Sequence, residues 1–290
     1  MIKVKVGMAG YFKIDVIKPD GSIKELAPFQ KNLILNQGLD NNLYKNYCHV
    51  GTGTSTPVVT QTGLDARVAD VAGSGNSSVN SGSAPYYTDS TQTFTYAVGT
   101  FNGEALTEIG LGSTGLTSLW SRSLIKDSGG VPTSITILND EILVVTYTIR
   151  IIPPTTDVVT VVGPHTCTAR AANVNSINAW VMSFGNFFSA NGNYAVYTNY
   201  ALPAIDGGSG YTQIYNTTYY GTVPISYPAA RTGRFTMSLG VNDGNAANGI
   251  SGLRVAMLGG CSFGVHISPA IMKTSDDILT LEFDFSWDRA

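Results

Sequence analysis

The residues that could carry acid–base, nucleophilic or metal chemistry are few and widely separated in this sequence. The three histidines are His49, His165 and His266, and the three cysteines are Cys48, Cys167 and Cys261. A zinc site usually shows Cys-x-x-Cys spacing, and a disulfide framework shows an even number of paired cysteines. Neither pattern is present. We therefore expect idle or buried side chains at these positions, without a bound metal.

Paired carboxylates are the remaining route to catalysis, because glycoside hydrolysis needs two of them on either side of one bond. Two adjacent pairs precede strands, where turn chemistry is a sufficient explanation. The other acidic groups could line a groove or form a solvated strand face, of which the solvated face is the commoner. These acidic residues are Asp140 with Glu141, Asp276 with Asp277, Glu104 with Glu108, and Glu282 with Asp284 and Asp288.

The sequence contains neither a nucleophile elbow nor a phosphate-binding loop. No Gly-x-Ser-x-Gly sequence is present that could hold a strained nucleophilic serine. The segment Gly51-Thr52-Gly53-Thr54 is glycine-rich, but no Gly-Lys-Ser/Thr follows it to contact a phosphate and magnesium. We expect that the chain is not an enzyme and that it binds no cofactor.

Tyrosine is concentrated in one stretch of the second half. Eight of the 15 tyrosines lie between Tyr194 and Tyr227. Tyrosine combines a rigid apolar ring with a polar hydroxyl, which suits both protein interfaces and sugar stacking. The alternative is that these tyrosines are ordinary strand residues, since tyrosine also favours strands. The candidate contacts to a partner or glycan are Tyr211, Tyr215, Tyr219 and Tyr220.

Composition indicates the kind of fold that must position these residues. The 290 residues include 17 Lys or Arg and 20 Asp or Glu, so charged residues make up 13% of the chain, about half of the usual share. Thirty-two glycines and abundant Ser, Thr and Asn replace them. This composition favours short strands and turns over helical bundles. A net charge of −3 argues against nucleic-acid binding, and no apolar run is long enough to predict membrane insertion.

Hydrophobic alternation predicts an all-β protein with one short helix. A hairpin is predicted where Phe12, Ile14 and Val16 alternate with polar residues before the Pro-Asp-Gly turn at Pro19. Leu39, Leu43 and Tyr47 share a helical spacing, which predicts a helix over residues 37–47. Glycine- and serine-rich segments at 51–57 and 71–85 are predicted as surface loops. Further strands are predicted at 91–98, 107–111, 119–125, 141–152, 180–188, 234–239, 253–258 and 278–287.

Pro153-Pro154 interrupts the last strand of the first half and marks a predicted domain boundary. We expect two β-sandwich-like domains, at 1–153 and 154–290. Three blocks recur in the same order in both halves: 94–98 with 235–239, 109–111 with 255–257, and 141–151 with 277–287. One interpretation is that the two halves are duplicates of one domain. The other is that any two β-domains share the same hydrophobic alternation.

Several strings in the first half resemble bacteriophage tail-fibre and tail-associated virion proteins. They are Asn32-Leu33-Ile34-Leu35-Asn36-Gln37-Gly38-Leu39-Asp40, Val50-Gly51-Thr52-Gly53 with Pro57, Thr107-Glu108-Ile109-Gly110-Leu111-Gly112, Leu119-Trp120-Ser121-Arg122-Ser123-Leu124-Ile125, Pro132-Thr133-Ser134-Ile135-Thr136, and Asp140-Glu141-Ile142-Leu143-Val144-Val145-Thr146-Tyr147. The resemblance covers roughly residues 10–152. The strings that match are predicted to form strands and turns, so the resemblance implies no catalytic residues.

The resemblance implies a structural component of a phage virion, such as a tail fibre, collar, neck or baseplate-associated protein, assembled in the host cytoplasm. Its partners would be copies of itself and other virion proteins, and the 1–153 domain would attach to the particle. We also expect a homo-oligomer, with the terminal strand Leu279 to Trp287 as an exposed edge that invites pairing. The alternative function is a receptor-binding module for host glycan or protein. A depolymerase is the weakest hypothesis.

Overall fold

The structure is a computed structural model that describes residues 1–41, 45–81, 83–114, 118–172, 191–202, 204–205, 216–257 and 262–290. At 191, 216–220 and 257 it describes the backbone alone. Among the residues described, no helix has both the length and the apolar character that a membrane crossing requires.

The described residues are almost entirely β-structure, so the predicted all-β class is confirmed. The elements up to residue 152 are β1 (Ile2–Ile17), β2 (Ile23–Lys31), β3 (Leu33–Ile34), α1 (Asn36–Asp40), β4 (Tyr47–Gly51), β5 (Arg67–Asn80), β6 (Thr88–Thr95), β7 (Ala105–Leu106), β8 (Glu108–Gly112), β9 (Leu119–Leu124), β10 (Ile135–Thr136) and β11 (Ile142–Ile152). The later strands are β12 (Val158–Val162), β13 (His165–Ala171), β14 (Asn191–Thr198), β15 (Asn216–Ala229), β16 (Thr232–Leu239), β17 (Ile250–Met257), β18 (Ser262–Ile271) and β19 (Leu279–Arg289).

The predicted hairpin at the start of the chain is confirmed. Strands β1 and β2 pair antiparallel, with Ile17 opposite Ile23. Gly21 has a φ of +81° in the connecting turn, a conformation that glycine adopts without strain. The alternating Phe12, Ile14 and Val16 are buried. Period-2 alternation therefore set the buried face of β1 as expected.

The helix predicted over residues 37–47 is shorter than expected. It spans Asn36–Asp40 and buries Leu39, whereas Tyr47 begins strand β4. Residues 42–44, which include Leu43, lie outside the described part of the chain. Tyr47 pairs with Ala72 on one side and Gly112 on the other. Backbone pairing on both sides of β4 overrode the helical spacing of the apolar residues.

The surface loop predicted at 71–85 was also wrong, because most of it belongs to strand β5. This 14-residue strand pairs first with β4 and then with β6, so it links two ladders. One ladder has the order β2-β1-β11-β6-β5 and the other β5-β4-β8-β9-β3. Glycine and serine suit β5 because its side chains are mostly exposed, and its backbone hydrogen bonds hold it in place.

The second half has the same pairing order as the first. Its long strand β15 pairs with β14 and then with β16, and the ladders run β15-β16-β19-β1 and β15-β14-β17-β18-β13-β12. Thus β14 to β19 correspond to β4, β5, β6, β8, β9 and β11. The strand predicted at 180–188 lies outside the described residues. The duplication itself and the domain boundary at 153 stay predictions.

Strand β1 belongs to both halves. Its residues 7–17 pair antiparallel with β11, and its residues 2–8 pair parallel with β19. Ile2, Val4, Val6 and Met8 are buried, and they join the same apolar cluster as the first-half core. The first eight residues of the chain therefore complete the core next to the C-terminal strand.

The expectation that the terminal strand is an exposed edge was wrong. Strand β19 pairs with β16 on one side and with β1 on the other. Phe283 and Phe285 on this strand are fully buried. Alternation identified β19 as a strand, but its neighbours in the sheet come from distant parts of the chain.

Candidate functional site

Two of the strings that carry the resemblance meet in one polar cluster, in which the buried Glu108 and Arg122 contact the half-buried Gln61 and the exposed Ser55 and Asp65. The side chains of Glu108 and Arg122 are completely buried. The Arg122 guanidinium donates from Nε to Glu108 Oε2 at 2.8 Å, from Nη2 to Asp65 Oδ2 at 2.7 Å, and from Nη1 to Gln61 Oε1 at 2.7 Å. Ser55 donates to Asp65. The pKa of Asp65 lies below its usual value, mainly because of this hydroxyl and in part because of the Arg122 charge.

Backbone groups complete the cluster on the Glu108 side. The carboxylate accepts hydrogen bonds from the backbone N–H of Gly53 at 3.0 Å, Asp65 at 3.1 Å and Ala66 at 2.8 Å. A Cβ at Gly51 would lie 2.7 Å from Glu108 Oε1, so only glycine leaves room for the carboxylate. The glycine-rich segment is thus shaped around a glutamate and is not a phosphate loop. The oxygens of Glu108 are used to fix the β4–β5 connection onto strands β8 and β9.

Three more of the carboxylates named for a groove, Glu282, Asp284 and Asp288, are held in ion pairs, whereas Glu104 accepts a hydrogen bond from the backbone N–H of Asn102. Arg234 contacts Asp284 through Nε at 2.7 Å and Nη2 at 3.0 Å. Arg231 contacts Asp40 at 2.5 Å and Asp288 at 2.9 Å, which joins α1 to β19. Sequence reasoning missed both arginines, since nothing local marks them as partners of residues far along the chain.

The adjacent acidic pairs behave as turn residues, as expected. Glu141 accepts a hydrogen bond from the backbone N–H of Leu138 at 2.9 Å. Asp277 accepts from the backbone N–H of Thr274 at 2.9 Å and from its hydroxyl at 2.8 Å. Local turn chemistry therefore accounts for these two carboxylates.

The histidines and cysteines are not brought together within the described residues, and no group of three potential metal ligands is found there. His49 Nε2 lies 2.9 Å from the Ser113 carbonyl oxygen, and burial lowers the pKa of its imidazole. His165 Nδ1 lies 2.7 Å from the Pro269 carbonyl oxygen. Cys48 is fully buried, and burial raises the pKa of its thiol to about 12. A thiol with that pKa is unreactive at neutral pH. Cys261 lies outside the described residues.

The tyrosines chosen as candidate contacts are only partly described. Tyr211 and Tyr215 lie outside the described residues, and at Tyr219 and Tyr220 the backbone alone is described, paired in β15 with Val196 and Ala195. Their role as contacts therefore stays a prediction. Among their neighbours, Tyr194 and Tyr200 are buried and Tyr227 is exposed. Tyr200 stacks on Tyr197 with ring centroids 5.3 Å apart.

One apolar sheet edge is exposed, and sequence analysis did not single it out. Among the described residues, strand β12 pairs with β13 alone. On β12, Val159 is 61% exposed and Val161 71% exposed. Val162 lines an apolar cavity of about 260 Å³ together with Ile2, Ile271 and Leu281. We call this strand and cavity the β12 edge.

A second surface feature, the lysine cleft, lies beside the polar cluster. It has a volume of about 530 Å³ and is lined by residues that include Lys31, Asn32, Thr56, Pro57, Lys126 and Pro132. Several of these residues belong to the strings that carry the resemblance. They converge because β3 pairs with β9, with Leu33 opposite Arg122.

The described residues form an all-β protein, in which motif residues such as Glu108 and Arg122 hold strands and loops together. No protein-family model, curated protein or solved structure matches this chain.

Proposed function

We propose that the chain is a structural component of a bacteriophage virion, a tail-fibre, collar, neck or baseplate-associated protein that acts through assembly and attachment and is not an enzyme. Its partners would be copies of itself and other virion proteins, brought together in the host cytoplasm and kept in the particle. The motif resemblance over residues 10–152 supports this proposal. The observation that carries it is the β12 edge.

The β12 edge lacks the features that usually prevent edge-to-edge pairing. Native edges are protected by charges, prolines, bulges or very short strands. Strand β12 has the sequence Val-Val-Thr-Val-Val, with no charge and no proline, and its pairing with β13 has no register shift. Exposed valine on such an edge favours addition of another strand. In an assembling protein, such an edge can pair with another subunit. In a monomer, the same edge would promote aggregation.

The sequence of β12 indicates that a second copy of the same strand fits it. Val158 to Val162 reads the same in both directions, so antiparallel pairing about Thr160 places Val159 opposite Val161 of the other copy. A two-fold interface requires this kind of self-complementarity. Cross-strand pairs of β-branched side chains stabilise such a ladder.

Cysteine cross-linking tests both the partner and the register. Directly opposed residues in an antiparallel pair have Cα atoms about 4.5–5.5 Å apart, within the range that a disulfide spans. We expect Thr160→Cys to form a disulfide-linked dimer under mild oxidation. Val159→Cys and Val161→Cys should cross-link when mixed and not when each is alone, because the diagonal spacing is too long.

The control is Val79→Cys, at a valine of β5 that is 63% exposed but lies among the polar residues Ser77, Ser78 and Asn80, so that no self-complementary apolar strand surrounds it. It should not exceed the background of the parent protein. If Thr160→Cys gives no more dimer than Val79→Cys, the β12 edge is not the assembly surface. Locating the chain in the density of an assembled particle then tests the wider proposal, which fails if the particle lacks it.

A second function, recognition of a host surface glycan, is favoured by the lysine cleft. The cleft is concave, its volume lies within the roughly 300–1,000 Å³ of small-ligand sites, and it holds polar groups at its wall. Intact particles that fail to adsorb when the cleft is altered would support this function. Loss of particle incorporation would instead support the structural role.

A further inference from the structure

The residues that line the lysine cleft make it positively charged. Lys31 is exposed at the rim, where its ammonium donates to the Ala290 carbonyl oxygen at 2.7 Å. Lys126 is half-buried, and the described residues give it no carboxylate partner. No acidic residue is among the described residues that line the cleft. The two lysines therefore favour a ligand that carries a negative charge.

The third cation of the cleft, Arg122, does not take part in this charge. Its guanidinium is paired with Glu108 and Asp65 inside the polar cluster. Asp127 follows Lys126 in sequence, but its carboxylate accepts hydrogen bonds from the backbone N–H of Gly129 at 2.9 Å and of Val131 at 3.0 Å. It holds the loop that forms one wall. Lys126 therefore supplies most of the charge available to a ligand, and Lys31 shares its ammonium with the main-chain oxygen of Ala290.

Asn32 fixes one wall of the cleft. The residue is 7% exposed, and its Nδ2 donates to Ser121 Oγ at 3.2 Å. Its Oδ1 is buried against Gly10, where a Cβ would lie 2.5 Å from it, so this oxygen faces the interior and is not offered to a ligand.

The remaining wall is apolar and rigid. Pro57 and Pro132 lie on the cleft, and Leu33 and Leu124 complete its apolar lining. Thr56 and Ser123 add hydroxyl groups. A ligand that fits must combine a negative charge, several hydroxyls and apolar C–H faces. Acidic sugars have all three, and an aspartate or glutamate side chain lacks the hydroxyls.

We propose that the lysine cleft binds a pyranose sugar that carries a carboxylate, with the carboxylate against Lys126 and Lys31 and the ring hydroxyls against Thr56 and Ser123. This inference rests on the glycan-recognition function given above as the second candidate, and it adds the site and the ligand class. The ligand would be a unit of a surface polysaccharide.

Calorimetry and saturation-transfer NMR on the full chain test the site, with D-glucuronate as the probe and D-glucose as its neutral match. We expect glucuronate to bind with a Kd of about 10 mM or tighter, and glucose to bind at least about tenfold more weakly. A glucuronate-containing hyaluronan tetrasaccharide should bind more tightly than the monosaccharide if a polysaccharide is the source. Equal binding of the tetrasaccharide and the monosaccharide would overturn that assignment.

Variants separate the cleft from general charge effects. Lys126→Gln should weaken glucuronate binding about tenfold, since it removes one charge-assisted hydrogen bond. Lys24→Gln, at an exposed lysine of β2, should leave it unchanged. Equal binding of glucose and glucuronate, or no glucuronate binding at about 10 mM, would overturn the proposal. Binding of a glutamate-rich peptide in place of glucuronate would reassign the cleft to an acidic protein segment.

The assembly function is measured separately in the same samples. Lys126 is not part of the β12 edge, so disulfide dimers of Thr160→Cys should form to the same extent when Lys126→Gln is present. Loss of sugar binding with unchanged formation of the Thr160→Cys dimer would show that the substitution affects the cleft and not the assembly surface. Loss of sugar binding in Lys126→Gln, with particles that still adsorb to the host, would instead overturn the receptor role.

Discussion

Replacing Glu108 by glutamine should be one of the most destabilising conservative changes in this chain. Glutamine keeps the size and one oxygen of the side chain but replaces the other oxygen with an NH₂ donor. In the native cluster, three backbone N–H groups and the Arg122 guanidinium all donate to this carboxylate. The new NH₂ would therefore face donors, and the buried Arg122 would lose half of its counter-charge.

The expected cost follows from the complete burial of both partners. Removing one partner of a buried ion pair costs about 3–5 kcal/mol, because the remaining charge stays out of water. Asp65, whose side chain is 32% exposed, continues to neutralise part of the Arg122 charge. We therefore expect a loss of about 3 kcal/mol in the free energy of unfolding, at the lower end of that range.

Urea denaturation followed by tryptophan fluorescence measures this loss. The β4–β5 connection should also become cleavable by protease, because Glu108 no longer holds Gly53 and Ala66. Glu25→Gln is the control: Glu25 forms a surface pair with Lys13 at 3.4 Å, and its removal should change stability by less than about 1 kcal/mol.

A double-mutant cycle with Arg122→Met makes the test stricter. The two single variants should lose far more in sum than the double variant, which leaves no unpaired charge between these two positions. A Glu108→Gln loss of less than about 1 kcal/mol would refute the argument, as would single losses that add to within about 0.5 kcal/mol.

Two further predictions concern the core and the pH dependence. Val6→Ala should lower the free energy of unfolding by about 2 kcal/mol in urea titrations, because Val6 is 1% exposed in the part of β1 that pairs with β19. The control Val131→Ala, at a valine that is 59% exposed, should change the free energy of unfolding little. Equal effects of the two substitutions would contradict the core role of β1. Burial lowers the pKa of Lys45 to about 7, so above pH 7 the unfolded chain binds a proton that the folded chain does not. The free energy of unfolding should then rise by about 2 kcal/mol between pH 7 and 8.5. Lys45→Met should remove this rise. A rise that persists in Lys45→Met would show that other groups cause it.

Local pattern was sufficient wherever one strand face is buried and the other is exposed. The alternation of Phe12, Ile14 and Val16, and of the residues around Phe283 and Phe285, predicted strands β1 and β19 and the faces they bury. This works because side chains alternate sides along every strand, whatever its neighbours are. The turn at Gly21 was predictable for a similar reason, since its conformation is a property of a few adjacent residues.

Local pattern failed where the backbone of distant strands decides the structure. Strand β5 is rich in glycine and serine, yet it is a strand because β4 and β6 supply hydrogen bonds along its length. Tyr47 matched a helical stripe, yet β5 and β8 draw it into a sheet. Propensity is a weak preference, and pairing on both sides outweighs it.

Composition, hydrophobic alternation and turn residues were enough to predict the all-β class, the first hairpin with its turn, and the buried faces of the alternating strands. Long-range contacts decide instead that Glu108 meets Arg122 and Gly53, that β1 completes the core beside β19, and that β12 rather than β19 is exposed. Alternation and turn residues report on the nearest neighbours along the chain. Strand partners, sheet edges and buried ion pairs depend on contacts between residues far apart in sequence, which no local pattern encodes.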